Sequence, residues 1–346
     1  MTEPWQQALK ESITTPEQLS EFFPFDFRPL ETVADRFPMR ITPYYLSLIE
    51  QPRDPIWLQC VPDVRELNET GLSDPLGEDD LSPVTSVIHR YPDRVIFLVS
   101  GSCASYCRFC TRKRKVGCRE LSLSFRELRD GIDYIAATPQ IRDVIFSGGD
   151  PLLLPDSVLG DLLARVQAIP HVEIIRIGTR VPVTLPERVT EKLCALLQRF
   201  SPLYLNTHFN HPRELTDQAT EACAKLVDAG IVLGNQTVLL RGVNDSPKII
   251  SELFRGLLRI RVRPYYLHQM DLVQGGEHFR TSVRTGLEIL KNLRGPVSGL
   301  ASPYYVIDLP GGKGKVPLLP DDVVRSGNKL LLRTSSGEQV EYPDVD

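Results

Sequence analysis

From Arg94 onward the chain alternates short apolar runs with amphipathic stretches of helical period, and no other feature restricts its fold as much. The runs Val95 to Val99, Asp143 to Phe146, Glu173 to Ile177, Leu203 to Asn206, Ile231 to Leu233 and Val262 to Leu267 read as six strands. Between them, Ser124 and Glu127 form a capping box ahead of Leu128, Ile132 and Ile135, and Asp156 precedes Leu159, Leu162, Leu163 and Val166. Val189, Leu193, Leu196, Leu197 and Phe200 make one helical stripe; Leu215, Ala219, Ala222 and Leu226 make another, closed by Gly230. Strand-then-helix units in series lay their strands parallel, with right-handed crossovers. A closed barrel takes eight such units, so the six found here predict an α/β fold, a partial (β/α)6 barrel of TIM type over residues 91–280. Ahead of it, residues 1–90 form a helical N-terminal extension broken by prolines, with one helix beginning Pro16-Glu-Gln-Leu behind Thr14 or Thr15 and another at Pro43-Tyr-Tyr-Leu. The acidic, turn-rich run 68–80 reads as a solvated connector. Residues 281–346 form a small C-terminal segment, with a helix near Val283 to Leu293 and strand-like runs beyond residue 303.

Barrels of this kind present their chemistry at the C-terminal ends of the strands. The first strand is followed by Cys103-Ala-Ser-Tyr-Cys107-Arg-Phe-Cys110 and then by Arg112, Lys113, Arg114 and Lys115. Three thiolates spaced Cys-x3-Cys-x2-Cys can converge on one polymetal centre. A 4Fe–4S cubane held by three cysteines keeps one iron open, whereas an electron carrier would use four cysteines and a structural zinc a fourth Cys or His. Cys118 leaves the zinc alternative open, although no second Cys-x2-Cys pair accompanies it. Cys60, Cys194 and Cys223 read as core thiols. After the second strand, Gly148 and Gly149 of Ser147-Gly-Gly-Asp150 permit close backbone approach to a ligand, and the Asp150 carboxylate can accept from an ammonium. Gly178-Thr-Arg180 follows the third strand, Asn206-Thr-His208 ends the fourth, and Gln236 and Asp271 follow the fifth and sixth.

A second signal is Asp308-Leu-Pro-Gly-Gly-Lys313-Gly-Lys315. A lysine on a glycine-rich loop can reach an aldehyde and form a Schiff base, which is how pyridoxal phosphate (PLP) is held, and both Lys313 and Lys315 qualify. A phosphate-binding Walker A loop is excluded, since Val316 stands where Ser or Thr is required. The acidic balance, 40 Lys and Arg against 44 Asp and Glu, argues against a general nucleic-acid binder. Without an apolar run of membrane-spanning length or a signal-peptide pattern at Met1-Thr-Glu-Pro-Trp, the expectation is no membrane partner and a cytoplasmic location. Seven cysteines then suit metal ligation in a reducing compartment better than disulfides.

Taken together, the cysteine loop and Ser147-Gly-Gly-Asp150 resemble those of radical S-adenosylmethionine (SAM) enzymes. The runs His89-Arg-Tyr-Pro-Asp-Arg94, Cys107-Arg-Phe-Cys-Thr-Arg112, Leu205-Asn-Thr-His-Phe-Asn-His-Pro212, Gly234-Asn-Gln to Asp245 and Val262-Arg-Pro-Tyr-Tyr266 look like the lysine 2,3-aminomutase family, over roughly residues 30–335. The resemblance implies a 4Fe–4S cluster on Cys103, Cys107 and Cys110, with SAM held at Ser147, Gly148, Gly149, Asp150 and Gln236. It implies PLP on Lys315, its phosphate met by Arg90, Tyr91 and Arg94, with Lys313 at a position the family often fills with glycine. Arg112 matches the position that binds the substrate carboxylate, and Asp271 and Asp308 match the two acids that receive its ε-ammonium. Two anions facing one buried cation favour lysine and repel a side-chain carboxylate.

The activity so implied is isomerisation of L-lysine to β-lysine, with a one-electron reductant such as flavodoxin or ferredoxin as partner. Related possibilities are a glutamate aminomutase or a source of β-lysine for elongation factor modification. A non-catalytic iron–sulfur electron carrier is the alternative of another class. Clostridial members carry a cysteine-rich C-terminal tail that helps bind a zinc between subunits. The run Glu341-Tyr-Pro-Asp-Val-Asp346 contains no cysteine, so the resemblance does not carry that zinc or the tetramer that goes with it; a homo-oligomer is expected, a dimer rather than a tetramer.

Overall fold

The computed structural model describes residues 3–117, 123–319, 323–326, 329–334 and 337–343. Cys118, the candidate fourth ligand of a zinc site, lies outside the described residues. Its centre is an open nine-stranded sheet whose strands lie in chain order: β1 (Val87–Tyr91), β2 (Arg94–Ser100), β3 (Asp143–Gly148), β4 (Ile174–Gly178), β5 (Leu203–Thr207), β6 (Val232–Leu239), β7 (Arg263–Gln269), β8 (Tyr304–Asp308) and β9 (Lys315–Pro317). Strands β2 to β8 pair parallel, and β1 and β9 close the two edges antiparallel. The six expected strands are all present, and β8 adds a seventh to the parallel run. Beyond it, β10 (Val323–Ser326), β11 (Lys329–Arg333) and β12 (Gln339–Pro343) form a separate antiparallel sheet.

Alternation along β3, with Val144, Phe146 and Gly148 buried and the residues between them less so, turns one face of the sheet to the helices. That layer is packed by Leu159, Leu163 and Val166 of the helix Asp156–Gln167, by Leu193 and Leu197 of Glu191–Gln198, and by Ile250, Leu253 and Leu257 of Pro247–Arg259. The capping box at Ser124 forms as the sequence predicts and starts the helix Phe125–Ala136. Gly230, at φ +81°, sits one residue past the cap of Asp217–Asp228, where a left-handed backbone ends a helix. No helix of the described residues is long and apolar enough to cross a membrane.

Some local expectations change. Around Pro16 there is only a 3-10 turn, Glu17–Glu21, and the capping runs in reverse: the Gln18 side chain accepts from the backbone of Thr14 and Thr15. Asp156 is the first residue of its helix and pairs with Arg188. Gln236 lies within β6, not after it. The run 68–80 is only in part a solvated connector: residues 68–73, 79 and 80 are exposed, but the run is also tied to the barrel. Leu72 bridges to Val273, Pro75 O accepts from Gly311 N at 3.0 Å, and Glu78 is buried. Its acids answer the cations of the cysteine loop, which turns the segment into a strap over the barrel mouth.

The ladder leaves the sheet open, yet its ends meet through side chains. Lys315 N, on β9, donates to Tyr91 Oη at 2.9 Å, and Arg90 Nη1, on β1, donates to Asp308 Oδ1 on β8 at 3.1 Å.

Candidate active site

The cysteine loop leaves β2 and is bound to the end of β3. Gly149 N donates to Ser100 O at 2.5 Å and Asp150 N to Ser102 O at 2.8 Å. A Cβ on Gly148 would stand 2.4 Å from Ser100 O, and one on Gly149 2.4 Å from Ser102 O. The two glycines therefore let the cysteine loop close on β3, a close approach between two backbones of the chain itself. The Asp150 carboxylate accepts from Thr179 Oγ1 at 2.7 Å, Arg180 N at 2.8 Å and Leu152 N at 3.0 Å. Burial raises its pKa, against those bonds, and the acid joins the ends of β3 and β4.

Burial raises the Cys103 thiol well above its ordinary range, reinforced by Asp150 and by Cys110 and Cys107, and raises Cys110 to about 11, reinforced by Cys107. Thiols so placed stay protonated and inert until a cation takes them as thiolates, and binding then releases their protons. Among the described residues no three His, Cys, Asp or Glu side chains gather as they would about a single metal ion. A cubane asks for something else, a separate thiolate on each of three irons, which three neighbouring thiols on one short loop can supply. The donor set fits the cluster.

The five cations of the loop are each met by an acid from the preceding segment. Glu66, fully buried, holds Arg108 at 2.6 Å and Lys113 at 2.7 Å; Arg114 pairs with Asp74 and Asp79, and Lys115 with Asp79. Arg112 donates through Nε and Nη2 to the two oxygens of Glu78 at 2.8 and 2.7 Å, leaving Nη1 toward Ser147 Oγ at 3.4 Å. Arg112 thus reaches the cavity with half of its fork already engaged. Glu78 and Glu66 were not legible as site residues, because an acid in a polar run carries no mark of burial.

Inside the barrel mouth lies a cavity of about 440 Å³, lined among others by Arg90, Tyr91, Arg94, Arg112, Ser147, Arg176, Gln236 and Lys315. Four arginines line this cavity and suit an anionic ligand. Arg94 is bonded to Asp93 at 2.8 Å and lies over the Tyr91 ring, while Arg176 pairs with Asp143. Lys313 is exposed and Lys315 half-buried at the cavity, which separates the two candidate lysines. Gly314, at φ +97°, brings the loop against Tyr91. A half-buried primary amine, an aromatic floor and arginines across the cavity fit PLP.

Lys315 Nζ sits 2.7 Å from both oxygens of Asp308, which also holds Arg90 and lies 3.3 Å from His268 Nδ1. Burial pushes the Asp308 carboxyl up, but the His268 hydrogen bond and the Lys315 charge outweigh it and leave it well below the usual carboxylate range. Asp271, across a smaller cavity of about 220 Å³ that it shares with Asp308, forms no such ion pair among the described residues. Burial and the Asp308 charge raise it to about 7. The structure therefore brings together Arg90, Tyr91, Arg112, Ser147, Gln236, Asp271, Asp308 and Lys315 around two adjoining cavities, with the cysteine loop beside them.

Residues 97–253 match the family model of the radical SAM superfamily, and residues 290–346 match that of lysine-2,3-aminomutase. The L-lysine 2,3-aminomutase of Clostridium subterminale is 48% identical over 98% of this chain and 84% of its own length, and that of Methanococcus maripaludis is 48% identical over 98% and 80%. The glutamate 2,3-aminomutase of Clostridioides difficile is 43% identical over 98% and 82%. A solved radical SAM methyltransferase from Sphaerobacter thermophilus aligns with a TM-score of 0.45 at 18% identity, over 64% of this chain and 68% of its own. On the near full-length identities, this chain belongs to the lysine 2,3-aminomutase family of radical SAM enzymes.

Proposed function

We propose that the chain is an isomerase that moves the amino group of L-lysine from carbon 2 to carbon 3, giving β-lysine, with a 4Fe–4S cluster, SAM and PLP as cofactors. One observation carries the choice of substrate: Asp308 already binds the ammonium at the end of a lysine side chain, that of Lys315, through both carboxylate oxygens. The ε-ammonium of free lysine is the same group on the same four-carbon stem. Asp271, unpaired and raised to about 7, stands ready as the second acid once a cation arrives. A glutamate side chain would instead bring a third carboxylate to this corner, which costs several kcal/mol, to order of magnitude about 2–5, in a poorly solvated site.

When bound, the cluster and SAM supply a hydrogen-abstracting organic radical and PLP the carbonyl on which the migrating amino group is carried. The chain's own residues bind and position. Cys103, Cys107 and Cys110 would hold the cluster; Ser147 and Gln236 would face SAM, with Gly148, Gly149 and Asp150 shaping that rim through their bonds to the cysteine loop and to the end of β4; and Arg90, Tyr91 and Arg94 would face the phosphate. The free edge of Arg112 takes the substrate carboxylate, opposite Asp271 and Asp308 at the other end. Holding lysine at both ends fixes which hydrogen faces the radical, and the barrel walls exclude water.

The partner reductant is of the flavodoxin or ferredoxin class, and the protein acts as a homo-oligomer in the cytoplasm. The free thiols of Cys60, Cys194 and Cys223, which suit a reducing compartment, support that location. Anaerobic incubation of reconstituted protein with lysine and with glutamate tests the reading: β-lysine is expected, and turnover of glutamate without lysine would overturn it.

A further inference from the structure

Arg180 follows β4, some seventy residues beyond the cysteine loop, and its guanidinium ends on a cysteine of that loop: Nη1 donates to Cys107 Sγ at 2.9 Å. No other nitrogen of this side chain is free to turn. Nε donates to His208 O at 3.2 Å, and Nη2 to Tyr45 Oη at 3.0 Å, Gln59 Oε1 at 2.6 Å and Glu214 Oε1 at 2.8 Å. The plane is held over the Phe109 and Tyr45 rings at 5.4 and 5.3 Å, and the residue is 8% exposed. Glu214 is fixed in turn by Tyr45 Oη and by the backbone N–H groups of Asn210 and His211. One N–H of a buried, immobile cation is thus aimed at one sulfur.

We infer that Arg180 is a positioning residue for the iron–sulfur cluster, which holds the Cys107 sulfur and raises the cluster's reduction potential through an N–H···S bond. The inference rests on the assignment of Cys103, Cys107 and Cys110 as cluster ligands. Adding one electron from an external reductant makes or breaks no bond and leaves more negative charge on the sulfurs. A fixed donor and a nearby positive charge stabilise that reduced state over the oxidised one. A cluster lacking this bond is harder to reduce, although its three ligands are intact.

The test uses anaerobically reconstituted full-length protein, with iron content and the electron paramagnetic resonance of the dithionite-reduced cluster as readouts. Arg180→Gln paired with Glu214→Gln removes both buried charges, so that neither is stranded. At the wild-type midpoint, the ratio of reduced to oxidised cluster in this double variant is expected to fall about tenfold, ~59 mV for a one-electron couple. Tyr45→Phe removes one support of Arg180 without touching the Nη1 contact, and is expected to lower Tm while leaving the potential in place. An unchanged potential at full iron content in the double variant overturns the inference. Should the variants fail to fold, wild-type protein grown on guanidino-15N arginine decides: a 15N coupling to the reduced cluster supports the inference, and its absence overturns it. Wild-type protein that takes up no iron would overturn the cluster assignment itself, a different result from iron bound at an unaltered potential.

Discussion

Lys315 and Asp308 are bonded to each other through both carboxylate oxygens at 2.7 Å, so the amine proposed to receive the cofactor aldehyde occupies the acid proposed to receive the substrate. Once Lys315 is committed to the aldehyde, Asp308 is available to another ammonium. Asp308→Asn is therefore expected to spare PLP attachment and to raise the KM for lysine about 30-fold, ~2 kcal/mol for one charge-assisted bond. Steady-state kinetics alongside the imine absorbance separates the two effects.

Asp271 and Asp308 titrate in opposite directions. Asp308 is lowered and stays ionised through the neutral range, whereas Asp271 is raised to about 7 by burial and by the Asp308 charge. The folded Asp271 binds its proton more tightly than the unfolded chain does, so its contribution to stability is present in acid and is lost as pH rises through about 7. Binding of the substrate ammonium needs the ionised form. The KM for lysine is expected to fall roughly tenfold per pH unit on approaching about pH 7 and to level off above it. In Asp271→Asn that slope should vanish; a KM profile that keeps it would assign the titration elsewhere.

Glu78 is buried and Arg112 largely so, and each neutralises the other, so removing either one leaves the other's charge uncompensated. Arg112→Ala alone is expected to cost about 3 kcal/mol of stability in addition to lysine turnover. Adding Glu78→Ala should restore most of the stability and none of the turnover. Thermal unfolding and product assays on the four members of this cycle measure both.

Gly149→Ala places a methyl group on Ser102 O. The cysteine loop must then move off β3, at about 1–3 kcal/mol of strain. Iron bound per chain is expected to fall several-fold while the helical circular dichroism persists.

Borohydride reduction of PLP-loaded protein is expected to label the peptide containing Lys315. Lys313→Ala should retain the label and Lys315→Ala should lose it, because Lys313 is exposed and Lys315 faces the cavity.

The barrel was legible because hydrophobic period and caps are local: the six strands and the helices at Ser124 and Val283 lie where the pattern puts them. Strand β8 falls among the strand-like runs expected beyond residue 303, but its place in the parallel sheet was not legible, because its partner β7 lies 35 residues earlier. The motif residues declared themselves by type and spacing. Glu66, Glu78 and His268 did not, and Arg180 showed its place at a strand end but not its Cys107 contact, since each acts through a partner distant in sequence, and pairing across space leaves no local trace. The glycines of Ser147-Gly-Gly-Asp150 were conspicuous for a ligand, yet their open side is filled by Ser100 and Ser102.

The acidic run 68–80 carries a last consequence. It grips the cysteine loop through Glu78, Asp74 and Asp79, and the PLP-lysine loop through Pro75 and the close packing of Gly77 on Gly311. Two loops far apart in the chain, the proposed seats of the cluster and of PLP, thus share one clasp. A displacement of one loop would therefore be felt at the other through a peptide that supplies neither a proposed cluster cysteine nor the proposed PLP lysine.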